Sequence, residues 1–534
     1  MKKAWKRKIS VLAWGVALLL AGCVNSEVNS MITDRSNRTA DQKQDQAQDQ
    51  SHTTATTTVM TGKAFMLTAK ASHQELAPGV TLPVWTFNNA VPGPEIRVRQ
   101  GETIKVTLKN ELSEPVSIHW HGYPVPNGMD GVPGITQNAV QPGETFTYEF
   151  KADVPGTYWY HSHQDSANQV DKGLYGALIV EAKNAPKPDR EYTLLLDEWI
   201  SQAQVNEAHG DMSDMGGMNN MDMSGMDHGN MVMSDSKNEG VAMGHNMNMY
   251  DLFTINGKSG PLVEPLKVKK GERVRIRLIN AGYLTHKIHL HGHEFQIVAT
   301  DGQSINHPAV IKDQLLAIAP GERYDIEFTA NSPGEWYLEC HGEMKGAKGM
   351  KALIQYEGST EKSDQPNESE QLPVVDLASY GTQKTGPFTL DQKYDVEYTM
   401  NLNTETRGHE TVYTINGKTF PNTEPLNVKE GDLVKVKIVN NSMMDDHPMH
   451  LHGHFFQVLS KNGKPLEGSP VFKDTLNVKP GEEYIVAFKA DNPGNWMFHC
   501  HELHHASAGM VTEVKYAGFQ PGFTPDPAAN NKPE

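Results

Sequence analysis

The sequence predicts an all-β protein built from three tandem copies of one domain, and a repeated turn pattern predicts it. Three Pro-Gly-Glu triplets each open a strand-like run, at residues 142–144, 320–322 and 480–482. A second Pro-Gly lies thirteen residues after the proline of each triplet, at Pro155, Pro333 and Pro493. No helical heptads and no alternation of strands and helices compete with this repeat.

Alternating strands precede the turns in every copy. The runs TIKVTLKN, RVRIRLIN and LVKVKIVN follow Gly101, Gly271 and Gly431 at nearly the same distance. Alternation of apolar and polar residues is typical of a strand with one buried face. Short strands separated by Pro-Gly turns favour a β-sandwich or a Greek-key barrel for each copy.

The length and composition agree with several soluble domains. A chain of 534 residues exceeds what one hydrophobic core usually organises. The predicted domains and their linker are residues 61–188, 189–360, 361–372 and 373–517. A net charge of -17 argues against nucleic acid as a partner. With three cysteines in all, no disulfide framework is expected.

The first residues predict export. Residues 1–10 carry five Lys and Arg, and residues 11–20 form an apolar run too short for a dependable membrane span. The following Leu-Ala-Gly-Cys, ending at Cys23, resembles a bacterial lipobox, so 1–23 is predicted to be a lipoprotein signal peptide. Lipid on Cys23 would anchor the protein without spanning the membrane. An ordinary cleaved signal is the alternative.

The expected location is the outer face of the bacterial cell membrane, or the periplasmic side of the outer membrane. Residues 24–60 are rich in Asp, Gln, Ser and Thr and have almost nothing to bury, so a disordered tether is predicted. The Pro- and Asn-rich tail, 518–534, is expected to behave in a similar way. We also expect a monomer.

Pairs of histidines in domains 1 and 3 have the spacing of metal ligands. Side chains two residues apart in a strand share a face, so each His-x-His pair can offer two imidazoles to one side. Four such pairs supply eight imidazoles: His119 and His121, His161 and His163, His450 and His452, His499 and His501. A single pair is more often structural, but four pairs in repeated domains indicate a metal cluster.

A second ligand set surrounds the last pair. Cys500 lies between His499 and His501 and must point to the opposite face. His447 is expected to point that way too, and the next loop carries His505 and Met510. Two imidazoles, a thiolate and a weak thioether are typical of a blue copper site. Structural zinc is the alternative, but it rarely recruits methionine.

These four segments resemble the copper signatures of the multicopper oxidases. The resemblance implies three cupredoxin-like Greek-key β-sandwich domains and four copper ions, with a trinuclear cluster between domains 1 and 3. The ligands that it implies are His447, Cys500, His505 and Met510 for type 1 copper, His119 and His450 for type 2, and His121, His161 and His501 with His163, His452 and His499 for the type 3 pair.

The resemblance also implies the reaction. A reductant gives single electrons to the type 1 site, Cys500 relays them through His499 and His501, and O₂ takes up four electrons to become water. Asp130 matches an acid that relatives place near the cluster, although a turn residue is the alternative. A second acid of the family falls at Leu503 or Ala506, which are apolar here, so the second proton route is in doubt.

Domain 2 looks like a decayed copy. His286, Cys340 and Met350 fall at type 1 positions, but Lys345 replaces the second imidazole and Glu339 replaces a cluster histidine. A relic or packing cluster is predicted, with an extra copper site as the alternative.

A methionine-rich insertion, about 205–250, suggests the reductant. Eleven of the 24 methionines lie between residues 212 and 249, and thioethers suit Cu(I). An inert insertion is the alternative. A possible site for substrate copper precedes His447, at Met443, Met444, Asp445 and Asp446; an exposed acidic turn is the alternative.

The chain most resembles the bacterial copper-tolerance oxidases, so Cu(I) is the predicted reductant and phenols are secondary. Three other functions stay open. One is a laccase with mainly organic substrates, another is the oxidation of ferrous or manganous ions, and the third is a non-enzymatic copper-sequestering lipoprotein.

Overall fold

The computed structural model describes residues 57–201, 249–359 and 371–534. The predictions for the signal peptide, Cys23, most of the tether and nearly all of the methionine-rich insertion lie outside these residues, as does most of the linker. Among the residues described, no helix has both the length and the apolar character that crossing a membrane requires. The domain boundaries stay predictions.

The first copy contains two sheets, ordered β1-β4-β9-β8-β6 and β3-β2-β5-β7. Its elements are β1 (Val59–Thr61), β2 (Ala64–Ala77), β3 (Val80–Phe87), β4 (Gly93–Arg99), β5 (Thr103–Asn110), β6 (His119–His121), a 3-10 helix (Asn127–Met129), β7 (Thr145–Lys151), β8 (Gly156–His161), α1 (Ser166–Asp171) and β9 (Tyr175–Glu181).

The second copy repeats this plan with sheets ordered β11-β10-β13-β18-β15-β16 and β12-β20-β19-β14-β17. Its elements are β10 (Arg190–Trp199), β11 (Leu252–Ile255), a 3-10 helix (Gly260–Leu262), β12 (Leu266–Val268), β13 (Arg273–Asn280), β14 (His286–Leu290), β15 (Phe295–Thr300), β16 (Gln303–Ser304), β17 (Leu316–Ile318), β18 (Arg323–Thr329), β19 (Glu335–Cys340), a 3-10 helix (Lys345–Gly349) and β20 (Lys351–Tyr356).

The third copy has sheets ordered β22-β21-β24-β30-β26-β27, with β28 paired to β26, and β23-β32-β31-β25-β29. Its elements are β21 (Val396–Arg407), β22 (Glu410–Ile415), β23 (Leu426–Val428), β24 (Leu433–Asn440), β25 (His447–Leu451), β26 (Phe456–Lys461), β27 (Lys464–Pro465), β28 (Val471–Lys473), β29 (Thr475–Val478), β30 (Glu483–Lys489), β31 (Asn495–Cys500), α2 (Leu503–Ser507), β32 (Val511–Tyr516) and a 3-10 helix (Pro527–Ala529).

The alternating runs form the strands that the sequence predicts. In β5, Ile104, Val106 and Leu108 are fully buried while the residues between them face outward. Their core also contains Ile96 and Leu178 from the opposite sheet. Each copy is thus a pair of sheets that buries apolar side chains between them, and the all-β prediction is confirmed.

Two strand pairs set the positions of the predicted ligands. In domain 1, β6 and β8 run antiparallel with His119 opposite His161. In domain 3, β25 and β31 run antiparallel with His450 opposite His499. These two pairs of strands face one another, because the ring of His121 stacks on that of His450 from the other domain.

A buried ion pair joins the three domains beside this point. Arg323, at the start of β18, donates to both carboxylate oxygens of Asp474 in domain 3, at 2.7 and 2.6 Å. It also donates to the carbonyl oxygen of Thr157 in domain 1. Burial alone would raise the pKa of Asp474, but the charge and hydrogen bonds of Arg323, together with the hydrogen bond to His450, outweigh it and hold that pKa below its ordinary value.

The tail differs from the expectation of a second tether. Gln164 donates a hydrogen bond to the carbonyl oxygen of Asn530, and Gln141 donates one to that of Ala529. Ser166 donates to the carboxylate of Glu534, whose side chain is buried. Composition alone did not reveal this packing, because the contacts come from domain 1.

Arg323→Met tests the buried ion pair. Methionine fills part of the space with an unbranched apolar side chain but leaves the Asp474 carboxylate buried without its cation. Such a change typically costs about 3–5 kcal/mol of stability. We therefore expect a clear fall in the unfolding temperature measured by calorimetry. Arg407→Met is the matched control, since the Arg407–Glu405 pair is exposed and such pairs are worth about 0–1 kcal/mol. An Arg323→Met protein as stable as the wild type would contradict this role.

Candidate metal centres

One thiolate and two imidazoles converge in the core of domain 3. The Cys500 sulfur lies 3.7 Å from Nδ1 of His447 and 3.6 Å from Nδ1 of His505. The two Nδ1 atoms are 3.2 Å apart. All three ligand atoms therefore point to one position, which is the arrangement that a single metal ion requires.

The other nitrogens of these two rings have partners that fix the ring orientation. Nε2 of His447 lies 2.8 Å from the Ser442 hydroxyl, and Nε2 of His505 lies 3.1 Å from the Glu502 carboxylate. Such partners commonly hold a metal-binding imidazole in one tautomer. Met510 is fully buried, and its carbonyl oxygen accepts a hydrogen bond from the Cys500 amide.

The strand pairing separates this site from a second one. In the β25–β31 ladder, Met449 lies opposite Cys500, and His450 lies opposite His499. Because successive side chains of a strand alternate, Cys500 enters the core of domain 3 while its two neighbours point toward domain 1. The two sites are thus joined through one strand.

The second site gathers all eight imidazoles of the four His-x-His pairs. Each is at most 1 % exposed, and rings from the two domains stack on one another. The His119 and His452 rings have centroids 3.9 Å apart, and the His121 and His450 rings have centroids 3.8 Å apart. Half of the site comes from each domain.

Outward-facing nitrogens of the cluster are hydrogen bonded. Nδ1 of His119, His161 and His450 each lies 2.8–3.0 Å from a backbone carbonyl oxygen. Nδ1 of His163 lies 2.5 Å from the carbonyl oxygen of Pro533 in the tail. His121 is reversed, since its Nε2 faces the Thr475 hydroxyl at 3.0 Å.

Seven ring nitrogens of the cluster lack hydrogen-bond partners within the described residues. These atoms are Nε2 of His119, His161, His163 and His450, Nδ1 of His121, and both ring nitrogens of His501. Buried polar atoms without partners are costly and rare. Burial, followed by the neighbouring imidazoles, lowers the pKa of His161 and His501 well below its ordinary value. Neutral imidazoles with free lone pairs are metal ligands, so the donor set fits copper ions.

The structure brings together the sets that the sequence predicts. Ligand atoms of His163, His452 and His499 lie within 4.8 Å of one another, as do those of His119 and His450 together with His452. The remaining triad is also close, with ring centroids 4.6 Å apart for His121 and His501 and 5.4 Å apart for His161 and His501.

Asp130 lies at the junction of the two halves. One carboxylate oxygen is 2.9 Å from Nδ1 of His452, and the other is 3.2 Å from Nδ1 of His119. The side chain is buried. Asp130 therefore contacts one predicted ligand from each domain and orients both.

Two further carboxylates at the cluster are absent from the sequence predictions. Asp474 lies 3.3 Å from Nε2 of His121 and 3.4 Å from Nδ1 of His450. Its dipeptide Lys473-Asp474 is repeated as Lys312-Asp313 in domain 2, a signal that could have revealed it.

Glu534 is the second, and its carboxylate lies 3.1 Å from Nδ1 of His499 and 3.7 Å from Nε2 of His163. Burial raises the pKa of Glu534 to about 8. No signal in the sequence pointed to this residue.

The apolar positions of the last motif are packed, not polar. Leu503 and Ala506 are buried, and Ala506 contacts Val132 of domain 1. Glu502 begins α2, where it accepts hydrogen bonds from the His505 amide and from His504, on the type 1 side. A carboxylate near His499 thus comes from the tail rather than from this motif.

The corresponding positions of domain 2 are only partly assembled. The Cys340 sulfur lies 3.9 Å from Nδ1 of His286, whose Nε2 is 3.0 Å from the Glu198 carboxylate. Met350 is fully buried. With Lys345 in place of the second imidazole, two strong ligands are present where domain 3 has three.

The predicted substrate residues form a turn before His447 in which the two methionines are exposed and the two aspartates are half-buried. Met443 is 93 % exposed and Met444 is 87 % exposed. Thr404 donates to the Asp445 carboxylate at 2.6 Å, and Asn477 donates to that of Asp446 at 2.8 Å. The turn therefore presents two thioethers to solvent beside the type 1 site.

Comparisons with known proteins agree with this geometry. Three multicopper oxidase family descriptions match residues 68–185, 190–359 and 387–518. Multicopper oxidase MmcO of Mycobacterium tuberculosis is 34% identical over 456 residues, which cover 82% of this chain and 84% of the relative. This chain belongs to the multicopper oxidases. It is a copper-dependent oxidase, and the family implies four copper ions, namely type 1, type 2 and a binuclear type 3 pair.

One further sequence relative and one solved structure are also similar to this chain. The copper resistance protein A homolog of Pseudomonas syringae pv. tomato is 26% identical and covers 85% of this chain and 92% of its own. The crystal structure of a multicopper oxidase from Pseudomonas thermotolerans has a TM-score of 0.61 at 29% identity and covers 86% of this chain and 100% of its own. The predicted cupredoxin-like fold is confirmed.

Cys500→Ser tests the type 1 site of this oxidase. Removing the thiolate takes away the strongest of the converging ligands, so we expect one copper ion fewer per chain and loss of the intense absorption in the red. The cluster coppers should be retained, because their imidazoles lie on the other face. Cys340→Ser is the matched control and should keep both colour and copper count. A blue Cys500→Ser protein would contradict the assignment.

Proposed function

We propose that this oxidase couples the oxidation of Cu(I) at the type 1 site to the reduction of O₂ to water at the trinuclear cluster, as part of copper tolerance. The exposed thioethers of Met443 and Met444 beside His447 carry the proposal. Thioethers are soft ligands that favour Cu(I), and these two are adjacent in the chain and open to solvent.

A short chain of covalent bonds and close contacts connects this turn to the Cys500 sulfur. Ser442 precedes Met443 in the chain, and its hydroxyl contacts the outer nitrogen of His447. The inner nitrogen of His447 points at the Cys500 sulfur. Asp445 and Asp446 add negative charge that attracts a cation to the turn. A cuprous ion held here is thus a few bonds from the type 1 ligands.

Copper ions, when bound, accept single electrons at the type 1 position and supply all four electrons that O₂ needs at the cluster. The overall balance takes four Cu(I), one O₂ and four protons to four Cu(II) and two water molecules. The protein's part is to bury the eight imidazoles, to exclude bulk water from them and to join the two sites through Cys500 and its two neighbours.

Asp130 holds the interdomain cluster together with two groups: its carboxylate accepts a hydrogen bond from Nδ1 of His452, and its backbone carbonyl oxygen accepts one from Nδ1 of His119. The hypothesis that it also delivers protons stays a prediction, and so does a role in copper handling for residues 212–249. Export and lipid attachment at Cys23 are part of the proposal, because Cu(I) oxidation protects a cell when it occurs outside the cytoplasm. The name of the copper resistance relative supports this role.

The double variant Met443→Ala, Met444→Ala tests the substrate. Without the thioethers, we expect kcat/KM for Cu(I) to fall roughly tenfold, or about 1.4 kcal/mol. Oxidation of a bulky phenol should be unchanged, because phenols give no thioether contact. Oxygen uptake with each reductant measures both values.

Met66→Ala is the control, since Met66 is an exposed methionine far along the chain in β2. An equal loss with both substrates would indicate damage to the type 1 site, and an unchanged Cu(I) rate would reject the substrate turn. A copper-loaded wild type that consumes no O₂ with any reductant would reject the oxidase mechanism itself.

Asp130→Asn tests the carboxylate at the interdomain junction. The amide keeps the shape of the side chain, but one of its two oxygen acceptors is lost. Changes to groups that orient metal ligands cost about 10–100-fold in activity or metal affinity, so we expect kcat to fall within that range. Asp153→Asn, at an exposed position, is the control. Full activity with four copper ions bound would contradict a role for Asp130.

A further inference from the structure

Domain 2 preserves one half of a cluster in the same register as domain 3. In the β14–β19 ladder, His289 lies opposite Glu339, just as His450 lies opposite His499 in β25–β31. His291 follows β14 and His341 follows β19. The repeat therefore places three imidazoles and a carboxylate on one face, opposite to the face that Cys340 occupies.

The donor atoms of this half-cluster lie close together. Nε2 of His291 is 2.8 Å from the Glu339 carboxylate and 3.3 Å from Nε2 of His341. Nε2 of His341 is 3.7 Å from the same carboxylate oxygen. Ligand atoms of the three histidines, His289 included, are within 4.8 Å of one another.

His289 is the residue that points to a ligand. It is 2 % exposed, and neither of its ring nitrogens has a hydrogen-bond partner in the part of the chain that the structure describes. The Asp313 carboxylate lies 3.8 Å from its Nε2, too far for a hydrogen bond. A buried imidazole without partners is costly in a folded protein, unless another atom binds its lone pair.

The electrostatics keep His289 and Glu339 in the forms that bind a metal. Burial, followed by the neighbouring imidazoles, lowers the pKa of His289 to about 3, so the ring is neutral. Burial acts to raise the pKa of Glu339, but His291 and Lys351 outweigh it and bring the pKa to about 2. Lys351 lies 2.7 Å from this carboxylate and leaves its other oxygen for a ligand role.

We propose a further metal site in domain 2 that binds one divalent ion of the zinc–copper class through four side chains: His289, His291, Glu339 and His341. Imidazole nitrogens and a carboxylate suit these ions. Tetrahedral Zn²⁺ with bonds of about 2.0–2.1 Å separates its donor atoms by about 3.3 Å, close to the spacing of His291, His341 and Glu339.

This site is separate from the oxidase centres. Its fourth donor is a carboxylate of the same domain, whereas the cluster of domain 3 is completed by domain 1. It also excludes His286 and Cys340, which lie on the other face of the strands. An ion bound here is therefore an addition to the four copper ions of the oxidase.

Zinc binding to the full, copper-loaded protein tests the proposal. Zn²⁺ is redox-inert and leaves the blue absorption readable, so holoprotein is equilibrated with Zn²⁺, desalted and analysed for both metals. We expect the wild type to retain one zinc ion more than His289→Ala, His291→Ala. His73→Ala, His409→Ala removes two exposed histidines and should match the wild type.

Copper count and blue colour show whether the double variant is folded. If the double variant is not folded, the zinc content of Glu339→Gln tests the site instead. Loss of the carboxylate charge should weaken zinc binding roughly tenfold or more. Zinc anomalous scattering between these four side chains supports the site, and added Cu²⁺ should displace the zinc because it binds such donors more tightly. Equal zinc in the wild type and the folded variants, or anomalous signal only elsewhere, overturns the proposal.

Discussion

The alternation of side chains along β31 is the constraint on which the rest of this oxidase depends. Three consecutive residues must serve two centres, and only an extended strand sends Cys500 to one face while its neighbours reach the other. The ladder with β25 fixes the register through Met449 and Cys500. A slip of one residue would turn the thiolate toward domain 1 and the imidazoles into the core.

Burial of the imidazoles then defines the second centre. Removing eight rings from water costs free energy, and the protein recovers part of it by hydrogen bonding their outward nitrogens to carbonyl, hydroxyl and carboxylate groups. The inward nitrogens are left for metal ions. The ion pair between Arg323 and Asp474 attaches domain 2 beside the cluster. A domain that supplies no cluster ligand therefore still holds the carboxylate that lies beside His121 and His450.

The sequence predicted what local spacing can encode. The strands follow from the alternation of apolar and polar residues. The predicted ligands follow from the four His-x-His pairs and from the position of Cys500 inside the last pair. Both signals depend on neighbours within a few residues. Asp474 and Glu534 contact His121 and His163, which lie hundreds of positions away in the chain. The repeated Lys-Asp dipeptide marks Asp474, but no local pattern records Glu534. The tail was misjudged for the same reason, because its polar composition resembles a tether until domain 1 provides partners for it.

The division of the cluster between two domains also has a consequence for biogenesis. His163 completes the first half, and the second half begins at His450, 287 residues later (450 − 163). At ribosomal rates of about 5–20 residues per second, the first domain waits roughly 15–60 s for its counterpart. During that interval its four imidazoles are an open chelating surface, so the timing of copper supply, and not affinity alone, decides which ion enters first.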